Sequence, residues 1–230
     1  RVAESSFGNH QRTALGYDYL AEVFFRTGQL EKAREYSKRA YAVSEHTETH
    51  VMAWNAQPLS RLGSIELANG DYAAAEDWYR QALAHRRAGL SSPDIWLVGE
   101  VHALGLSLFL QGRAEDASGT WGEAADLLAA LAEREDTPAS LFQSALNDFN
   151  VSRIHDLRGE PEERRVLLER ALEKSEKVVA KSEYLGSLDL HVKILLHLGR
   201  GEEARDAVST LKAMGWNDPE FLSLVAAPPS

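Results

Sequence analysis

The stretch Leu62-Gly63-Ser64-Ile65-Glu66-Leu67-Ala68-Asn69-Gly70-Asp71-Tyr72-Ala73-Ala74-Ala75-Glu76-Asp77-Trp78-Tyr79-Arg80-Gln81-Ala82-Leu83 decides the fold. Gly70 divides two runs with helical spacing of apolar residues. A small residue, Gly63, stands in the first run, and Ala75 and Ala82 stand one heptad apart in the second. Small residues on facing stripes let two antiparallel helices approach to ~8–10 Å, and a large residue such as Tyr79 fills the space beside them. Gly70 is then the left-handed residue that ends the first helix, where a Cβ would be penalised.

The same arrangement recurs. Gly28 is followed by Leu30 and Ala33, Gly112 by Ala114 and Ala117, and Gly199 by Gly201 and Ala204; Gly159 carries a weaker copy with Arg164 in the small position. The successive glycines lie 42, 42, 47 and 40 residues apart. Ala21, Gly63, Gly105 and Ser152 hold the small position before each glycine, preceded by Leu20, Leu62, Leu104 and Val151. Ala40, Ala82, Ala124 and Ala171 hold the one after. The fifth unit departs, with His191 and Leu211 where small residues stand elsewhere, and its packing is expected to be looser or differently spaced. A period of this length is the mark of a solenoid built from one repeated supersecondary unit.

The expected layout is ten helices near 10–27, 30–46, 50–69, 72–89, 93–111, 114–132, 138–158, 161–179, 183–198 and 202–214, with a capping turn near 219–224. They are expected to form five antiparallel hairpins (about 10–46, 50–89, 93–132, 138–179 and 183–214, cap 215–225) in one all-α domain over 1–230, and because Arg1 is not an initiator methionine a piece of a longer protein is expected. Ser92-Pro93, Thr137-Pro138 and Asp218-Pro219 each read as an N-cap followed by proline at the first helical position. Pro58 predicts a kink in the third helix or a start nearer Asn55.

Composition narrows the function. The formal charge of −10 over 230 residues disfavours a nucleic-acid backbone or an anionic membrane surface as partner. Cysteine is absent, which removes disulfides, thiolate catalysis and Cys-ligated zinc. No apolar run reaches the length of a membrane span, and a cytoplasmic setting is expected. His46 and His50 are four residues apart, but the segment straddles an expected turn and supplies no third ligand, so no metal or other cofactor is expected. No nucleophile elbow or phosphate loop is present, and the chain is read as a non-enzyme. Trp54 and Trp96, one full period apart, are read as wedges between hairpins.

These residues resemble the tetratricopeptide repeat, most closely at Leu62-Gly63, Gly70-Asp71-Tyr72, Ala75, Tyr79 and Ala82-Leu83, and again at Leu104-Gly105, Gly112, Ala117, Trp121 and Ala124. The long period is similar to that of kinesin light chains and large bacterial signalling proteins. The resemblance implies a right-handed superhelical solenoid whose first helices line a concave groove for peptides or proteins. It carries the inner face onto first-helix positions, among them Asp18, Glu22, Lys193 and His197. The residues expected to bind a partner are Arg61, His102, Phe109, Asn150, Arg153 and Asp156. A chaperone-type carboxylate clamp is not expected, because Asp18, Glu22, Arg61, Gly99 and Ala103 stand where Lys and Asn are needed.

The function expected is that of a scaffold or adaptor for a protein segment, a peptide, or another domain of its own parent chain. The alternative is a ligand-sensing or autoinhibitory arm of a multidomain bacterial signalling ATPase or transcription regulator.

Overall fold

The computed structural model describes residues 7–45, 52–90, 92–132, 137–182 and 184–226. Its regular structure is helical: α1 Phe7–Arg26, α2 Leu30–Glu45, α3 Met52–Asn69, α4 Tyr72–Gly89, α5 Ile95–Leu110, α6 Ala114–Ala132, α7 Pro138–Arg158, α8 Pro161–Val179, α9 Leu185–His197, α10 Gly201–Ala213 and α11 Pro219–Ala226. The chain forms two compact units, Arg1–Ala117 and Ser118–Ser230.

In the first unit α1 pairs with α2 and α3 with α4, while α5 packs on α4 and α3 lies beside α1. The turn after α3 shows why glycine is needed there. Gly70 has φ of 79°, its N–H donates to the Leu67 carbonyl at 3.1 Å, and the Asp71 N–H donates to Glu66 at 2.9 Å. That is the double bond of a Schellman turn. A Cβ at Gly70 would meet nothing within 4 Å, so backbone conformation alone makes the demand. Asp71 then starts α4 by accepting the Ala74 N–H at 3.1 Å. Gly28, Gly112, Gly159 and Gly199 share the left-handed conformation, and so does Gly215 after α10, a sixth instance outside the predicted set.

The facing stripe is as expected. Ala21, Ala33, Ala40, Ala75 and Ala82 are fully buried, and Tyr79 lies between them. The Tyr79 hydroxyl is 3.1 Å from Ser64 Oγ, and burial pushes its phenol up to about 12.

In the second unit α7 pairs with α8, α9 packs on α8, and α10 and α11 both pack on α9. Its core joins Phe149, Leu168, Leu172, Leu190, Ile194, Leu195, Leu211 and Phe221. Phe221 brings α11 into that core, beside α9 as α9 lies beside α7. Thr137 and Ser140 start α7 with a reciprocal capping box around Pro138. Asp218 caps α11, accepting the Phe221 N–H at 2.9 Å.

Four expectations change. Ser92-Pro93 does not open α5; the helix begins at Ile95, and Asp94 caps it by accepting the Leu97 N–H at 2.8 Å. A carboxylate in cap position outcompetes the serine two residues earlier. Helix α3 starts at Met52 rather than near Asn55 and runs through Pro58, which forfeits one backbone hydrogen bond. Trp96 is 62% exposed, because Leu97 and Val98 take the inward places of that first turn. In the fifth hairpin the fully buried place before Gly199 belongs to Val192 rather than His191. His191 instead sets Nδ1 3.0 Å from Ser175 Oγ. The Trp54 side chain and the His46–His50 segment lie outside the described residues.

Candidate partner-binding faces

Each unit carries charged side chains on its first helices that the apolar core does not require. In the first unit these start from Arg61 on α3, whose aliphatic stem is buried while its guanidinium reaches back to α1. Nε donates to Asp18 Oδ1 at 3.1 Å, and Nη1 pairs with Glu22. Glu22 also holds Arg26 one turn on. Further along, Ser60 donates to Glu100 Oε1 at 2.7 Å, and Arg86 Nη2 stands 2.8 Å from the same oxygen. Both partners of that last pair are nearly sealed from solvent, so the hydrogen bond from Ser60 helps offset the cost of burying charge. Of the other expected residues in this unit, His102 is only 2% exposed, and Phe109 is half-buried.

In the second unit Asn150 is 3% exposed. Arg153 lies one turn further along α7. Its guanidinium sits 5.8 Å from the Phe149 ring centroid and 3.4 Å from Glu220 Oε1 of α11. Asp156 is largely exposed and pairs with Arg164 Nε at 3.1 Å. Arg153 and Asp156 therefore have partners on different elements, α11 and α8 respectively.

Beside Arg153 stands a network the sequence reading placed only in part. Asp189, Lys193 and His197 share one edge of α9 at helical spacing. Lys193 Nζ lies 2.8 Å from Asp189, 2.7 Å from Asp218 and 3.6 Å from Glu220. Burial disfavours its charge, but the three carboxylates outweigh that and hold its proton above the ordinary lysine value. The Trp216 indole N–H donates to Asp189 Oδ1 at 3.0 Å. Burial pushes the Asp189 carboxyl up to about 6, against the pull of Lys193 and with help from Asp218.

His197 meets the Phe149 ring edge-on at 5.3 Å. Its Nδ1 is 3.3 Å from Arg164 Nη2, and its Nε2 is buried without a hydrogen-bond partner. Burial lowers its pKa, so the ring is held neutral. Only Lys193 and His197 of this network were legible as first-helix positions; of the three acids around Lys193, Asp189 shares its helix and the other two, Asp218 and Glu220, lie past Gly215, beyond the last repeat.

Among the described residues, no group of three or more His, Cys, Asp or Glu side chains is placed to hold a metal ion, and no helix is long and apolar enough to cross a membrane.

Residues 12–88 match the tetratricopeptide repeat family model. No curated protein matches the chain in sequence. Among solved structures, aspartyl phosphate phosphatase F from Bacillus subtilis is 18% identical over 89% of this chain and 51% of its own, with a TM-score of 0.68. A Podosopora anserina kinesin light chain with nearly identical TPR-like repeats is 20% identical, covering 89% of this chain and 95% of its own at TM-score 0.58. A Rap protein complexed with Competence and Sporulation Factor is 17% identical, covering 90% and 55% at TM-score 0.63. The chain spans about half the length of the phosphatase and of the Rap protein. At these identities the likeness is one of fold.

Proposed function

We propose that the chain, whose residues 12–88 match the tetratricopeptide repeat family, is a scaffold binding a protein or peptide segment through its first-helix faces. The observation that carries this is the charged stripe itself. Asp18, Glu22 and Arg61 in one unit, and Arg153, Asp189 and Lys193 in the other, link first helices to one another or to α11 rather than filling the spaces between hairpins. The partner-contacting residues proposed are Arg61 and Phe109 in the first unit and Arg153 and Asp156 in the second, while His102 and Asn150, nearly sealed from solvent, are proposed to shape those faces from beneath. Arg153 can grip a carboxylate through two parallel hydrogen bonds.

The Rap protein named above was solved with a bound factor, and a related Rap conjugation gene regulator was solved with its Phr* peptide. A peptide partner for this chain is proposed by analogy with them. No phosphatase activity is proposed.

The test is amide hydrogen exchange of the chain with and without a partner captured by crosslinking. Protection is expected on α1, α3, α5, α7 and α9. Protection confined to α2, α4 and α8 would place the partner on the opposite face and refute the reading.

A further inference from the structure

We propose that the α7–α9 face bearing Arg153 and Lys193 is a binding site for an acidic peptide segment with an aromatic anchor, and that Trp216–Ala226 of this chain is its resident occupant. This rests on the partner-binding reading above and names the chemistry of the partner.

The charge complementarity is specific. Lys193 is almost wholly buried, and a buried ammonium persists only with carboxylates around it. Its own helix supplies one, Asp189; the other two, Asp218 and Glu220, arrive on the C-terminal segment. Glu220 also spans to Arg153, so one carboxylate bridges cations on two first helices. Phe221 follows directly and is fully buried in the second unit's core, as an anchor residue is at an interface. Acid, spacer, acid, aromatic is thus the pattern seated on this face.

The occupant is weakly self-supporting. Helix α11 has eight residues, fewer than the ~12–15 an isolated helix needs in water. It packs on α9 and is held by Phe221 in the core and by the ion pairs of Asp218 and Glu220. A segment so held can lift off locally and give way to a competitor of the same chemistry.

The seat is also incompletely answered. Arg164 Nη2 can only donate, so His197 Nδ1 accepts and the proton sits on Nε2. That buried N–H has no acceptor with α11 in place. A ligand with one further carboxylate or carbonyl oxygen would satisfy it.

The experiment uses the full chain and a fluorescent synthetic peptide with the sequence of residues 216–226. A variant carrying Asp218→Asn and Glu220→Gln keeps a competent helix cap but removes both acids from the intramolecular segment. It is expected to bind the peptide at least tenfold more tightly than the unaltered chain. Adding Arg153→Ala is expected to reverse that gain at least tenfold. Equal binding by the chain and the variant, no binding by either, or capture of a peptide with Asn and Gln in place of its acids would overturn the proposal. Hydrogen exchange of the unaltered chain supplies a second readout. Amides of residues 221–226 are expected to exchange at least tenfold faster than those of Val192–Leu195, and equal rates would make α11 a fixed part of the core and also overturn it. Failure here leaves protection of the other first helices, and hence the scaffold reading, to be judged on its own measurement.

Discussion

Gly63 of α3 lies so close to the Tyr79 ring of α4 that a Cβ added there would stand 2.7 Å from Cε1. The ring cannot retreat: Tyr79 is buried on all sides, and Ser64 holds its hydroxyl. Alanine at an ordinary helical position would gain about 1 kcal/mol over glycine. At this one the clash should prevail, and Gly63→Ala is expected to destabilise the chain by ~1–3 kcal/mol. Urea denaturation reads the change, and a neutral or stabilising result would mean the two helices can separate at no cost.

Ala75 tests the same seam from the other side. It is fully buried, so Ala75→Trp should overpack the hairpin and cost ~1–3 kcal/mol or more. An unchanged denaturation midpoint would show the stripe to be misplaced.

Arg61 stands between Asp18 and Glu22 with most of its side chain out of solvent. Removing it takes both bonds from Asp18 and, among the described residues, leaves Glu22 with only the exposed Arg26. Arg61→Ala is expected to cost ~1–3 kcal/mol, between the value of an exposed pair and that of a fully buried one. Arg61→Lys should restore only part of this, because an ammonium cannot serve both acids with the guanidinium's fork. Full rescue by lysine would reduce the contact to simple charge attraction.

Asp189 makes the second unit sensitive to pH. Its folded pKa of about 6 lies above the ordinary 3.8, so the folded chain binds this proton more tightly than the unfolded chain does. Ionised Asp189 therefore carries a cost that is fully present above pH 6 and is relieved as pH falls toward 4. By linkage the relief is on the order of 3 kcal/mol. His191 and His197 work in the opposite sense. Burial lowers their pKa values, so stability falls as the pH drops through their ordinary 6.5. The comparison with Asp189→Asn isolates the carboxyl. The unaltered chain should gain stability relative to the variant between pH 7 and pH 4, and the Asp189 carboxyl carbon should titrate near pH 6 by NMR. A midpoint near 4 would refute the assignment.

Most of the hairpin architecture was legible because glycine and alanine report local demands. A left-handed turn needs glycine at Gly28, Gly70, Gly112 and Gly199, and close helix approach needs Ala40, Ala75 and Ala82, whatever lies elsewhere in the chain. Caps were legible where one candidate stood alone, as at Thr137, and misread where Asp94 competed with Ser92. Trp96 was misread because the period gives a residue's place along a helix more securely than its direction. The Lys193 network could not be assembled from sequence, since two of its three acids, Asp218 and Glu220, come from outside the repeat register. Gly215 was the available signal: it repeats the turn chemistry of the other five glycines and announces a further first-helix element.

The central claim, that a protein or peptide partner is held on first-helix side chains, is tested most directly by affinity. With a partner in hand, isothermal titration should compare the unaltered chain with an Asn150→Ala, Arg153→Glu double variant whose circular dichroism and melt confirm that it is folded. The account predicts binding weaker by at least tenfold, about 1.4 kcal/mol. Unchanged affinity in the folded double variant would contradict it.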